Sequence, residues 1–447
     1  MEFSKEINVA IVGYGVVGNG VAKILEEEKE LILKRSGIKI NLKKVFTRNW
    51  NKKFPYPLSD EKKASSLDEI LDDKDIDIVV ELVGGLDFPY KLIKECINRG
   101  KHIITANKHL LAEKGKEIFT LAEEKNIRIG FEGAVAGGIP IIKALRESLV
   151  GNRIEKIYGI LNGTTNYILT EMYGKGKNFN EVLKEAQELG YAEADPTLDI
   201  NGVDAGHKIA ILASLSYGGF LNFSDVYIEG IEDIEKIDIQ LGKELGYTLK
   251  LLAIAKGYEN NEVEVRVHPT FIPSTHPLAK VDGVFNAIMT EGNNVGESMF
   301  YGKGAGSLPT ASAVVSDIVD IAKSISLGIG REIEITSMNW EHKDLNLKKV
   351  SDFYTRYYIR FMVPDTVGIL SKIAGIFAEY NISIAAVIQK EKVVGLYNGA
   401  NSSDFIPLVL LTHTASENSI QKAIEKVESS NLTKGKAKVI RVEDEEE

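Results

Sequence analysis

The sequence predicts an α/β protein in three parts: a doubly wound domain on a parallel sheet, an α+β domain with a mixed sheet, and a small α+β module at the end. Three observations carry this. Gly13, Gly15 and Gly18 form a GxGxxG pattern directly after the apolar run 7–12 and before a helical pattern through Val21, Ile24, Leu25 and Leu31. Short apolar runs then alternate with amphipathic stretches as far as residue 131, the rhythm of β-α units feeding a parallel sheet. Beyond a glycine-rich crossing at 132–140 the strand-like runs lengthen, and a polar, lysine-rich stretch at 342–352 sets off a last strand–helix–strand pattern.

Bulk properties bound the function. A chain of 447 residues exceeds one ordinary core, and 44% hydrophobic with 26% charged residues is the balance of a soluble globular protein. A net charge of -10 argues against nucleic acid or an anionic membrane as partner. Part of that excess sits in 442–447, which reads as a frayed, solvated tail. The single cysteine, Cys96, excludes an internal disulfide and a four-cysteine metal centre. The seven histidines show no metal-ligand spacing, so zinc is not expected. The first residues lack an apolar signal core and no run approaches about 18 apolar residues, so the expected location is cytoplasmic.

The first strand, 7–12, runs into the glycine fingerprint, and strand before plus helix after is the context that gives such a motif meaning. Gly13 makes the tight turn, Gly15 lets the backbone approach a pyrophosphate, and Gly18 lets helix and strand pack closely; Val16 and Val17 open the helix whose N-terminus faces the phosphates. A strand at 38–46 follows. For NAD it should end in a carboxylate that binds the ribose hydroxyls. Instead Arg48, Lys52 and Lys53 follow it, with no acid before Asp60. That favours a 2′-phosphate, hence NADP, over NAD; the competing reading of the lysines is a solvated turn. Strands at 77–82, 102–105 and 127–131 alternate with helices through Leu92 and over 110–125. Ligands sit at strand C-terminal ends in such sheets, which makes Gly84, Thr105 and Lys108 candidates.

In the middle part, a strand at 154–161 leads to the polar turn 162–166, where position alone makes Thr164 and Thr165 candidate contacts for a carboxylate. Strands are expected at 247–256, 262–267 and 283–289, and a second glycine loop at 301–306 feeds a helix to about Leu327. The last module reads as strand 357–363, a turn and helix through Ile373 and Phe377, strands 382–388 and 405–412, and a helix over 416–427.

The chemistry concentrates in 189–215. Gly190 and the Asp195-Pro196 step break any single helix there. A helix then follows, capped by Asp199 or Asn201, with Ile209, Leu212 and Leu215 buried and other apolar residues on most remaining sides. Asp204 and Lys208, four apart, share one face, and Glu193, Asp199 and Asp204 put three carboxylates around one ammonium. On an exposed face such a pair is worth only about 0.3–0.5 kcal/mol. Inside an apolar helix a lysine is costly unless something needs it, and lysine is the cation whose pKa shifts readily enough for proton transfer.

With these motifs in this order, the chain resembles the homoserine dehydrogenase family over nearly its whole length, with an ACT-type module at the end. The motifs are the glycine fingerprint, 105–108, 132–140, 162–166, 189–208 and 304–311. The resemblance implies a Rossmann domain over 1–135, and a substrate-binding and dimerisation domain over 136–340 whose last helices return to the first. It further implies a linker at 341–352, a ferredoxin-like ACT domain over 353–441 and the tail 442–447. The implied reaction interconverts L-homoserine and L-aspartate 4-semialdehyde with NAD or NADP, on the route to threonine, methionine and isoleucine. By the resemblance Lys208 is the proton donor and acceptor, Glu193 and Asp204 hold the amino acid, Asp199 supports the site, and Lys108 lies beside cofactor and substrate. Gly190, Glu193 and Gly306 match positions touching the cofactor, and Glu132, Val135, Gly137 and Ile139 match a sodium site. A homodimer or homotetramer is implied, as is an amino-acid effector near 365–370. With no kinase segment ahead of residue 1 the chain reads as monofunctional, and its last module carries an unusual stretch at 393–404.

Two rivals are distinguishable. An acylating semialdehyde dehydrogenase needs a cysteine nucleophile, yet Cys96 falls at a core position beside Leu92, Ile93 and Ile97. A nucleotide- and amino-acid-binding regulator without turnover would leave Lys208 structural.

Overall fold

The computed structural model describes residues 6–328, 344–389 and 405–444. Strands β1 (Ile7–Val12), β2 (Ile40–Phe46), β3 (Lys63–Ala64), β4 (Ile78–Glu81), β5 (His102–Thr105) and β6 (Ile129–Gly130) form a parallel sheet in the order β3-β2-β1-β4-β5-β6. The connections carry α1 (Val16–Glu27), α2 (Lys29–Ser36), α3 (Asp68–Leu71), α4 (Asp87–Asn98) and α5 (Lys108–Glu124). Buried on both faces, β1 and β4 read as continuous apolar runs. Strand order reverses between β1 and β4, and the crevice at the C-terminal ends of such strands is where a doubly wound sheet binds ligands.

The middle domain comprises α6 (Ile141–Lys143), β7 (Ile154–Ile160), α7 (Gly163–Lys175), α8 (Phe179–Glu188), α9 (Thr197–Ile200), α10 (Val203–Tyr217), β8 (Tyr227–Ile228), α11 (Lys236–Glu244), β9 (Tyr247–Gly257), β10 (Glu262–Pro273), β11 (Phe285–Gly292), β12 (Gly296–Lys303) and α12 (Ser307–Ser326). β10 runs past the expected end at 267 and through Pro269. Its ladder to β8 closes at Val267 and its ladder to the C-terminal strand opens at Thr270, so the proline, which has no N–H, falls in the gap. β12 is an edge strand absent from the sequence expectation, since its glycines and exposed polar positions hide the alternation. α12 returns to the first domain, where Ala311, Val314 and Ile318 share a core with Val9, Ile11 and Val21.

The last part holds β13 (Asn346–Leu347), β14 (Tyr354–Pro364), α13 (Ile369–Glu379), β15 (Ile384–Gln389), β16 (Phe405–Thr412), β17 (Ala415–Ser416), α14 (Glu417–Ser429) and β18 (Lys438–Val442). Ile359, Phe361, Ile373, Phe377, Leu408 and Ile420 make its own core. Its sheet is nonetheless continuous with that of the middle domain, along β12-β11-β7-β9-β10-β18-β14-β16-β15.

Two expectations are corrected here. The stretch 342–352 is not a bare linker, because β13 pairs in parallel with the start of β10; residues 341–343 lie outside the described residues. Nor is the tail frayed at its start. The Glu443 carboxylate is enclosed between Arg266 and Lys256, and Asp444 accepts from Arg356 and Tyr247 at 2.8 and 2.7 Å. Buried Arg266 and half-buried Lys256 and Arg356, where the middle domain meets the last module, need these acids. Residues 445–447 and the stretch 393–404 lie outside the described residues. Among the described residues no helix is long and apolar enough to cross a membrane.

Candidate active site

α10 starts on Gly202, whose φ of 86° suits glycine, while the Asn201 side chain accepts from Val203 N–H. Of the two caps expected, Asn201 therefore acts at the helix start and Asp199 sits one turn earlier, in α9. From Asp204 to Ser214 every residue of α10 is buried. Lys208 Nζ donates to the Leu161 carbonyl at 2.6 Å and to Asp204 Oδ2 at 2.7 Å. An ammonium has three donors, so one stays available to a third acceptor. Burial lowers the Lys208 pKa, outweighing the Asp204 carboxylate, and Lys108 acts in the same direction. Burial alone would raise Asp204, but the Lys208 and Lys108 charges hold its carboxyl well below the usual range.

Asn162 organises the acids. Its Oδ1 accepts from Thr165 N–H at 2.9 Å, capping α7, while Nδ2 donates to Asp199 Oδ1 at 2.7 Å and to Asp204 Oδ2 at 2.8 Å. Burial keeps the Asp199 carboxyl above the usual carboxylate range, against this hydrogen bond. The expected ring of three acids is thus two: Asp204 directly and Asp199 through Asn162. Glu193 is exposed on the loop after Gly190 and is not among the partners of Lys208, because Gly190 at φ 74° turns the chain outward. The threonines are also corrected. Thr164 Oγ1 donates to the Tyr191 carbonyl at 2.7 Å, and the buried Thr165 hydroxyl turns back to Asn162 Oδ1 at 3.0 Å. The Thr165 hydroxyl thus closes the turn, while that of Thr164 ties it to the loop after Gly190 and lies beside Asp199.

Lys108, the first residue of α5 just past β5, reaches across the domains to Asp204 Oδ1 at 3.1 Å. This pair ties the Asp204–Lys208 cluster to the C-terminal end of the parallel sheet. In the same crevice Gly13 has φ 107° and a Cβ there would lie 2.6 Å from the Leu82 backbone; one on Gly18 would lie 2.0 Å from Gly13 O. A Cβ on Gly15 would meet nothing within 4 Å, which leaves room for a phosphate. Val16 is exposed at the helix start and Val17 half-buried. The Val16 carbonyl accepts from Ser307 Oγ at 2.7 Å, bringing Gly306 (φ 117°) to the fingerprint. Gly84 is exposed past β4, and Arg48 is exposed two residues past β2. Thr105 differs from its expected role as a contact: fully buried, its hydroxyl donates to Glu81 Oε2 at 2.6 Å, and Glu81 Oε1 accepts from Val83 and Gly84 N–H. It shapes the 82–85 loop instead of facing a ligand.

At the crossing between domains the Glu132 carboxylate accepts from Ile142 and Lys143 N–H at 2.8 and 2.9 Å, and burial raises its pKa. Ala136 and Gly137, at φ 52° and 49°, turn the chain so that Val135, Gly137 and Ile139 follow one another around a tight bend.

A family model described as homoserine dehydrogenase matches residues 140–319, one for the homoserine dehydrogenase NAD-binding domain matches 13–132, and an ACT domain model matches 357–429. Curated homoserine dehydrogenases of Neisseria gonorrhoeae and Helicobacter pylori are 43% and 44% identical, over 98% of this chain and 99% of each relative. The chain belongs to the homoserine dehydrogenase family. The crystal structure of a homoserine dehydrogenase from Thiobacillus denitrificans superposes with a TM-score of 0.92 at 43% identity, covering 98% of this chain and 99% of that one. A hyperthermophilic archaeal homoserine dehydrogenase in complex with NADPH covers 71% of this chain and 97% of its own at a TM-score of 0.59 and 29% identity.

As a homoserine dehydrogenase the chain is an oxidoreductase that uses a nicotinamide cofactor, acts on L-homoserine and L-aspartate 4-semialdehyde, and carries an ACT regulatory domain. The regulator without turnover finds no support among these relatives. Cys96 is buried in α4 and its thiol is pushed up to about 12, chiefly by burial, so it is no nucleophile. Asn162 and the Leu161 carbonyl are the site groups that sequence reasoning missed. An asparagine opening a helix was the available signal for Asn162; a carbonyl gives none.

Proposed function

We propose that Lys208 moves the proton to and from the C4 oxygen of the substrate. The observation carrying this reading is that its buried ammonium is held by two acceptors, Leu161 O and Asp204, with the third donor left for the substrate oxygen. The bound dinucleotide supplies the hydride in the reductive direction and accepts it in reverse. As the aldehyde is reduced, Lys208 stabilises the forming alkoxide and gives it a proton; in reverse, neutral Lys208 takes the proton from the hydroxyl. Asp204, gripped by Lys108 and Lys208, fixes both nitrogens. Asp199 and Glu193, the latter on the exposed loop after Gly190, receive the substrate ammonium. Lys108, half exposed at the sheet end, sits between substrate and nicotinamide. The test is Lys208→Ala: turnover falls by about 10²–10⁴-fold while cofactor affinity stays as it was, and unchanged turnover would remove the role.

NADP is the preferred dinucleotide in this reading, because Arg48, Lys52 and Lys53 are exposed beyond β2 with no acid among them. Initial rates with NADH and NADPH test it, and Arg48→Ala narrows the difference. Glu132 with the carbonyls of Val135, Gly137 and Ile139 is an all-oxygen set suited to a hard monovalent cation such as sodium, and replacing sodium by a bulky organic cation tests that. The outer edge of β12, with exposed Met299 and Tyr301, offers the surface for a homodimer, alone or within a homotetramer. Light scattering on Met299→Lys checks it. The exposed turn at 365–368 before α13 is where an amino-acid effector binds in this reading, and threonine titration of the rate tests that site.

A further inference from the structure

His109 and Glu113 are one turn apart on α5, and His207 faces them from α10. The two imidazoles stack with centroids 4.8 Å apart and planes inclined by 27°. One ligand atom from each of the three side chains lies within 4.8 Å of the others. His207 is only 6% exposed, yet neither of its ring nitrogens has a hydrogen-bond partner among the described residues; its other neighbour is the Phe223 ring, 4.4 Å away. No step of the proton transfer above uses any of the three.

We propose that His109, Glu113 and His207 form a binding site for a divalent transition-metal ion of the zinc class, joining α5 to α10. Two imidazoles and one carboxylate are a set that zinc takes with a water in the fourth position. Zinc holds nitrogen at about 2.0–2.1 Å, so the donors close to roughly 3.4 Å from one another. The exposed Glu113 and half-buried His109 make that movement by rotating side chains, with His207 fixed. Burial, with the nearby His109 and Lys108, keeps His207 neutral, the form that ligates. The site sits beside the catalytic cluster, since Lys108 precedes His109 and Lys208 follows His207; Asp204 offsets the lysine charges that would otherwise repel the ion. The sequence hid it: His109 and Glu113 have helical ligand spacing, but the third ligand is 94 residues beyond Glu113.

The test is equilibrium dialysis of the full chain against Zn²⁺, with the visible spectrum of the Co²⁺-loaded protein as a second readout. The expected result is one ion per chain with imidazole-type Co²⁺ absorption. His109→Gln and Glu113→Gln, both at accessible positions that should leave the fold intact by circular dichroism, should each weaken binding by about tenfold or more. Absence of binding, or weak binding that both variants leave unchanged and that is therefore adventitious, would overturn the site. Neither readout needs turnover, so failure here leaves the role of Lys208 standing.

Discussion

At the scale of single residues, proton transfer depends on how little water reaches the buried Lys208. Burial depresses its pKa and Asp204 only partly restores it, so the amine loses its proton below the ordinary lysine value of about 10.4. The sign follows from the direction of the reaction. Homoserine oxidation needs the neutral amine, so its rate rises with pH and levels off below that value; aldehyde reduction needs the ammonium and falls over the same interval. Rate profiles in both directions check this, and profiles that move together would contradict it. Lys208→Arg keeps the charge but cannot release its proton near neutral pH, so turnover should drop by about 10²–10⁴-fold. The Asp204–Lys208 pair was legible in the sequence because four residues on a helix return to one face. Spacing alone set Glu193 beside Lys208, whereas the turn at Gly190 leaves it exposed on the following loop.

Among elements, the fingerprint turn and the α7 cap carry the site. Gly18→Ala would drive a Cβ to within 2.0 Å of Gly13 O, and rigid backbone cannot yield. Cofactor binding should weaken by at least about tenfold, or 1.4 kcal/mol, with the rest of the fold retained; titration of cofactor fluorescence measures it. Asn162→Ala removes the cap of α7, worth about 1 kcal/mol, and also releases Asp199 from Asp204. The expected result is a higher KM for homoserine beyond the modest loss in Tm. Elements with strong periodicity and fully buried strands were readable, as β5 and β16 show. β12 and β18 were not, because an exposed edge strand and a short closing strand take their identity from neighbours far away in sequence.

Over the whole molecule, parallel pairing of β10 with β18 joins the ACT module to the catalytic domain. Charged groups buried at the junction reinforce it: Arg360 donates to Asp238 at 2.7 Å, and Glu443 lies between Arg266 and Lys256. Burial alone would raise Glu443, but Arg266 and Lys256 bring it down to about 2. A depressed carboxylate contributes stability above its unfolded pKa and loses it as pH falls through the folded one. Glu443→Gln should therefore unfold about 3–5 kcal/mol more easily at neutral pH, with the difference shrinking from about pH 4.5 and gone below about pH 2. Denaturant titrations across that range check it. Composition had pointed to a solvated tail here, because a run of acids shows its charge in sequence but not its buried cations. The claim on which the molecule's chemistry depends remains the proton carried by Lys208, and rescue of Lys208→Ala by small primary amines tests it most directly. Turnover restored in proportion to added amine, with cofactor affinity constant, is the result expected; turnover near that of the unaltered chain with no amine present would contradict it.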